Sequence, residues 1–218
     1  MKAVIFDFDG LIVDTESVWF DVFKDALQEY GVDLTMEEFA LAIGTTDDVL
    51  FDHLDKTYAV QLDRNAIREK TEALYQQRME VLILREGVLD YLQSAKQLGL
   101  KIGLASSSSR SWVEGFLKKF DIFNYFEVIR TKDDVNRVKP DPELYLQAVE
   151  ALEVAPEETV VFEDSANGLE AAKAAGLHCV MVPNPVTAIL SFEGHRLKLA
   201  SMGDMELNRV LDQISAKA

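Results

Sequence analysis

The chain has 218 residues, 48% of them hydrophobic and 28% charged, with a formal net charge of −16, a composition that suits one sizeable globular core with a modest insertion. Acidity of this size argues against broad nucleic-acid binding and against an anionic membrane surface, though a few fixed cations in one cleft can still reverse the local field for a phosphorylated ligand. No run of about eighteen apolar residues offers a membrane span, and Met1-Lys2 leads straight into a strand-like segment rather than a signal peptide, so the cytoplasm is the expected location.

Val4-Ile5-Phe6 carries the β-branched and aromatic residues of a strand covered on both faces. It runs into Asp7-Phe8-Asp9-Gly10, where the glycine permits a sharp turn. Asp7 and Asp9 stand at i and i+2, so an extended chain points both carboxylates to one side. Two unit charges about 4 Å apart at an effective dielectric near 20 repel by roughly 4 kcal/mol. A bound cation, a shared proton or plain exposure to water could offset this.

Asp14 or Thr15 can cap a helix whose apolar positions Val18, Trp19, Phe23, Ala26, Leu27 and Tyr30 recur at helical spacing, with Gly31 as its stop. Thr35-Met36-Glu37-Glu38 is a capping box opening a second helix through Phe39 and Ile43, broken at Gly44-Thr45-Thr46. A third helix follows through Val49, Leu50, His53 and Leu54. A fourth, begun by Asp63, runs through Ile67, Leu74, Tyr75, Met79 and Leu82.

After Gly87 helices and strands alternate. The pattern predicts a helix from Val88 to Leu98, a strand Lys101 to Ala105 ending in Ser106 to Ser109, a helix through Trp112, Phe116 and Leu117, and a strand near Phe126 to Thr131. Asp141-Pro142 is a helix start for Leu144 to Leu152. The strand Thr159 to Phe162 ends in Glu163-Asp164-Ser165, and a helix from about Asn167 to Ala175, a strand through Val180 and Val182, and a last helix near Met205 to Ile214 complete the chain. The single cysteine, Cys179, lies in the apolar run His178 to Val182 and reads as a core thiol.

Alternation of this kind predicts a parallel, doubly wound sheet that binds ligands beyond the carboxyl ends of its strands. Asp7 with Asp9, Ser106, the loop of Lys139, and Glu163 with Asp164 all fall there. Taken singly, Ser106 could be a helix cap or loop serine, Lys139 a solvated loop lysine, and Asp164 or Ser165 the cap of the next helix.

Phe6 to Thr15 resembles the first motif of the haloacid dehalogenase-like hydrolases, D-x-D-G-x-h-x-D-[ST]. Ser106, Lys139 in Val-Lys-Pro-Asp-Pro, and Glu163-Asp164-Ser165 are similar to the second, third and fourth motifs, in the right order along nearly the whole chain. The helical stretch resembles the small cap of the branch holding β-phosphoglucomutases and sugar-phosphate phosphatases. The resemblance implies a Rossmann-like α/β core over residues 1–14 and 83–218 with an all-helical cap, residues 15–82, inserted above it.

It further implies that Asp7 is the phosphoryl-accepting nucleophile and Asp9 the general acid and base. Ser106, a Ser107 backbone donor and Lys139 would cradle the phosphate. Mg²⁺ would be held by Asp7, Asp164 and the Asp9 carbonyl, with Glu163 as an outer or occasional ligand. Asp9 argues against dehalogenation, whose enzymes lack that carboxylate. From Asp25 through Asp55 there is no Lys or Arg, and Ile43 and Asp47 flank Gly44 where the mutases carry basic side chains. Arg64, Arg68, Lys70 and Arg78 are expected mostly to face solvent.

The expectation is therefore a monomeric Mg²⁺-dependent phosphatase acting on a small phosphorylated metabolite such as a sugar phosphate, with neither nucleic acid nor membrane as partner. Specificity would rest on the segment Ile43 to Asp47 and the cap helices. The alternatives are a phosphomutase using the same aspartyl-phosphate, and a non-catalytic metabolite-binding or regulatory protein on the same fold.

Overall fold

A computed structural model describes residues 1–43, 47–79 and 82–216. The expected helix break at Gly44-Thr45-Thr46, and with it the comparison to the mutase loop at Gly44, lies outside the described residues. The chain divides into two compact units. One comprises Met1–Val13, Ile83–Pro183 and Phe192–Ala218, the other Asp14–Leu82 and Asn184–Ser191.

The chain opens with β1 (Ala3–Phe6), whose four residues are all buried. Helices α1 (Thr15–Leu27), α2 (Met36–Ala40), α3 (Asp47–Tyr58) and α4 (Arg64–Met79) follow and form the second unit. The remaining elements are α5 (Val88–Gln97), β2 (Lys101–Ala105), α6 (Arg110–Lys119), β3 (Val128–Arg130), α7 (Glu143–Ala151), β4 (Thr159–Glu163), α8 (Ala166–Ala174), β5 (His178–Met181), β6 (Leu197–Lys198) and α9 (Leu207–Ala216).

In the first unit six parallel strands pair in the order β3-β2-β1-β4-β5-β6. Helices α5 and α7 pack on β2, α7 also on β3, and α8 on β4 and β5. This is the doubly wound α/β architecture that the alternation predicts. Its strand order reverses between β1 and β4, where ligands of such sheets bind. The registers Phe6↔Phe162 and Phe6↔Leu104 bring β1, β2 and β4 to their carboxyl ends side by side. Stacking of Phe6 on Phe162, centroids 5.1 Å apart, and the edge of Tyr91 against Phe162 at 5.2 Å lock the core beneath those ends.

The helical unit closes on its own apolar cluster, in which Ala26, Leu27, Phe51 and Leu54 are fully buried and Trp19 packs on the edge. Trp19 stacks on Tyr75 with centroids 3.8 Å apart, joining α1 to α4. Thr35 and Glu38 form the expected capping box of α2. Gly31 takes the left-handed conformation, φ 73°, that ends the first helical stretch.

Three details depart from the sequence-based expectation. Residues 184–191 group with the helical unit, because Val186 is fully buried in its cluster. The Asn184 carboxamide shapes that short loop by accepting from the N–H groups of Val186 and Thr187 at 2.8 and 3.0 Å. Helix α7 starts at Glu143 rather than at Pro142; Asp141 still serves its first turn by accepting from Glu143 N–H at 3.0 Å. The two-residue strand β6 was not expected, being too short to show a period.

Candidate active site

Every candidate residue of the expected site belongs to the α/β unit. Asp7 follows β1 directly, its N–H donating to Phe162 O on β4 at 3.1 Å. Gly10 turns the chain at φ 78°, and Gly10 N–H donates to Val13 O at 2.8 Å. Phe8, between the two aspartates, is fully buried and packs on Phe116.

Asp7 is buried, 7% exposed, so contact with bulk water is not what offsets its charge. Lys139, 8% exposed, is. Its ammonium donates to Asp7 Oδ1 at 2.5 Å, Glu163 Oε1 at 2.7 Å and the Ala105 carbonyl at 2.8 Å, which uses all three of its protons. The loop carrying it contains a cis Lys139–Pro140 peptide.

Glu163 ends β4 with no exposure at all. Its Oε1 accepts from Lys139 and from the Tyr145 hydroxyl at 2.5 Å, and its Oε2 from Asp164 N–H, Ser165 N–H and Ser165 Oγ at 3.2, 3.4 and 3.2 Å. Both oxygens are thus saturated by protein donors. Ser165 also caps α8 by accepting from Gly168 N–H at 3.1 Å. Asp164, 2% exposed, shares a cluster with Asp7 and Glu163 in which one oxygen of each lies within 4.8 Å of the others.

Burial pushes the Asp7 carboxyl up to about 8; Lys139 pulls against it, and Glu163 and Asp9 add to the rise. For Lys139 burial alone would weaken the ammonium, but the charges of Asp7 and Glu163 outweigh it and raise its pKa. The Tyr145 phenol is raised well above its ordinary value by burial and then by Glu163, so it stays a neutral donor. Lys139 thus bridges Asp7 and Glu163, and Asp164 lies beside both. An all-oxygen donor set with an excess of negative charge suits a hard divalent cation. The residues present therefore fit such a metal.

Asp9 is only half-buried and is held differently. Trp112 Nε1–H donates to its Oδ1 at 2.9 Å, and Ser108 Oγ and Ser106 Oγ donate to its Oδ2 at 2.6 and 3.3 Å. Ser106 is buried and accepts from Ser108 N–H at 3.0 Å, whereas Ser107 is exposed. The two aspartates of the first motif are thus separated by their partners, a cation for one and neutral donors for the other. Sequence reasoning missed Tyr145, Ser108 and Trp112. Tyr145 and Trp112 read as apolar helix positions, and nothing in the serine run distinguishes Ser108 from its neighbours.

Arg64, Arg68, Lys70 and Arg78, four of the six Lys and Arg residues between 14 and 82, are each paired within the helical unit. Arg64 meets Asp48, Asp52 and Asp55, Arg68 meets Asp47 and Asp48, Lys70 meets Glu29, and Arg78 meets Asp25. Their side chains are 31 to 38% exposed, so they are half-buried rather than free in solvent. That unit also contains a cavity of about 420 Å³ lined by residues including Trp19, Ile43, Asp47, Arg68 and Glu72. No helix among the described residues is long and apolar enough to cross a membrane.

A parallel α/β sheet that gathers buried carboxylates and an ammonium beyond its strand ends has the charge arrangement that phosphoryl transfer calls for. The sequence pattern of the haloacid dehalogenase-like hydrolases matches residues 4–182, and the chain belongs to that family. It is 46% identical over 218 residues to "Putative phosphatase YhcW" of Bacillus subtilis, covering 100% of this chain and 99% of that protein. It is 34% identical over 181 residues to the phosphorylated carbohydrates phosphatase of Thermotoga maritima, covering 81% of this chain and 82% of the other. Among solved structures it is similar to "putative beta-phosphoglucomutase from Thermotoga maritima", with a TM-score of 0.76, 29% identity and coverage of 97% and 99% of the two chains.

Proposed function

We propose that this protein is a Mg²⁺-dependent phosphatase that hydrolyses a small phosphomonoester, a sugar phosphate or related metabolite, through an aspartyl-phosphate on Asp7. The observation that carries the proposal is the buried contact of Asp7 with Lys139 beside Glu163 and Asp164. It supplies a nucleophile and fixed positive charge where a phosphoryl group needs both.

Asp7 attacks phosphorus, and the leaving oxygen takes a proton from the Asp9 carboxyl. Water then attacks the phosphoryl group, returns a proton to Asp9 and frees Asp7, so that one hard displacement becomes two easier ones. Ser106 and Lys139, with a backbone donor at Ser107, bind the phosphoryl oxygens, Lys139 giving up its contact with Asp7 as that carboxylate bonds to phosphorus. Asp7, Asp164 and the Asp9 carbonyl would hold Mg²⁺, which supplies further neutralisation of phosphoryl charge when bound. Glu163, its oxygens already engaged, serves mainly to hold Lys139 and stays outside the inner ligand set.

Hydrolysis is favoured over phosphoryl migration because Arg64, Arg68, Lys70 and Arg78 are each spent on a carboxylate of their own unit, which leaves them poorly placed to grip a second phosphate. The intact acidic set likewise disfavours a merely binding role. The test is phosphate release from a panel of phosphomonoesters with and without Mg²⁺. Metal-dependent turnover is expected, whereas migration of phosphate without release would indicate the mutase and silence across the panel a binding protein.

A further inference from the structure

Both oxygens of Asp9 are held by the segment that follows β2, but by chemically different donors. Ser106 and Ser108 present hydroxyl groups to Oδ2 at 3.3 and 2.6 Å; Trp112 presents an indole N–H to Oδ1 at 2.9 Å. A hydroxyl can turn about its C–O bond to donate or accept, whereas an indole N–H can only donate. The indole is also fixed in place. Trp112 sits in the first turn of α6, where its backbone N–H donates to the Ser109 cap at 3.4 Å and its ring meets Phe116 edge-on at 4.9 Å. Phe116 in turn packs at 6.0 Å on Phe8, the residue between the two aspartates.

We infer that Trp112 is a positioning residue that reserves Asp9 Oδ1 as an acceptor and so confines the transferable proton to Oδ2, the oxygen beside Ser106. The inference rests on Asp9 being the proton carrier proposed above. A carboxyl group facing a donor-only partner keeps that oxygen as its carbonyl and carries hydrogen on the other. When the Asp7–phosphorus bond forms and the bond to the leaving oxygen breaks, the proton on Oδ2 passes to that oxygen. When water bonds to phosphorus and the Asp7–phosphorus bond breaks, the proton released by water returns to Oδ2. Ser108 donates to Oδ2 in its ionised form and turns to accept from it in its protonated form. The Trp112 contact persists unchanged through both halves.

The test compares kcat/KM, which reports the steps up to release of the alcohol, for glycerol phosphate and p-nitrophenyl phosphate in the presence of Mg²⁺. An alkoxide leaves poorly without a proton, whereas nitrophenolate needs none. Trp112→Phe keeps an aromatic ring on Phe116 but removes the indole N–H. It is expected to lose about tenfold or more on the alkyl ester and less than about threefold on the aryl ester, with the larger share in kcat rather than KM. A merely structural loss would lower both esters alike, and that result overturns the inference.

Asp9→Asn separates the role of Asp9 from that of Trp112. If it shows no greater loss on the alkyl ester, the assignment of Asp9 fails and the inference falls with it. If it shows the split and Trp112→Phe does not, Asp9 stands and the role of Trp112 is refuted. Should Trp112→Phe not fold, benzothienylalanine at position 112, with sulfur in place of N–H, replaces it. The same split is then expected, and its absence overturns the inference.

Discussion

A β-carbon built on Gly168 would fall 1.9 Å from the carboxyl carbon of Glu163, so this turn of α8 is open only because residue 168 has no side chain. The space is taken by a carboxylate with no exposure, anchored by Lys139, Tyr145 and the Asp164-Ser165 turn. Gly168→Ala must push that carboxylate off its donors. Overpacking of this kind costs typically about 1–3 kcal/mol. Chemical denaturation should show a lower midpoint and assays a lower turnover, and a variant indistinguishable from the parent on both would mean that Glu163 moves freely.

Tyr145 holds Glu163 from the other side. Tyr145→Phe removes one donor to Oε1 and leaves Lys139 as its remaining partner. A hydrogen bond to a charged group contributes about 1.5–3 kcal/mol. The expected result is a stability loss in that range with a smaller fall in turnover, read by urea unfolding beside a phosphate-release assay. A larger effect on activity than on stability would assign Tyr145 to the chemistry instead.

Lys139 compensates two buried carboxylates at once. Lys139→Ala should cut turnover by about a hundredfold or more through loss of charge facing the phosphoryl group, and should also destabilise the fold by about 3–5 kcal/mol, because Asp7 and Glu163 are left unpaired. Both are to be measured on one preparation with Mg²⁺ present. An unchanged rate would make the ammonium purely structural.

The pH dependence of metal binding follows from Asp7, raised from 3.8 to about 8 chiefly by burial. In the metal-free protein the native state keeps a proton that the unfolded chain gives up near 3.8. The resulting stability is fully present below about 4 and is lost as pH rises toward 8. A divalent ion takes the ionised carboxylate, so its affinity strengthens over the same interval. Thermal melts should therefore show a larger Mg²⁺-induced rise at pH 8 than at pH 6, and little rise at either pH for Asp164→Asn. A Mg²⁺ effect independent of pH would remove Asp7 from the ligand set.

Much of this was legible in the chain itself, for reasons that differ by element. The apolar run Val4 to Phe6 ending in two acids, and Thr159 to Phe162 ending in two more, mark buried strands by composition and their tips by the sudden change of polarity. The capping box at Thr35 is equally local, since its whole mechanism lies within four residues. Trp112 was not legible, because its ring packs as helix periodicity demands while its indole N–H reaches Asp9, 103 residues earlier. Tyr145 was hidden in the same way behind an apolar helix face. The two-residue β6 and the return of 184–191 to the helical unit depend on tertiary neighbours and leave no period to read.

The most direct measurement is hydrolysis of p-nitrophenyl phosphate by the Mg²⁺-supplemented protein and by Asp7→Asn, with thermal melting of both. Turnover by the parent is expected, with a fall of about a thousandfold or more in the variant and a cooperative melt retained. A well-folded Asp7→Asn protein that still releases phosphate at the parental rate would contradict the role of Asp7 as nucleophile.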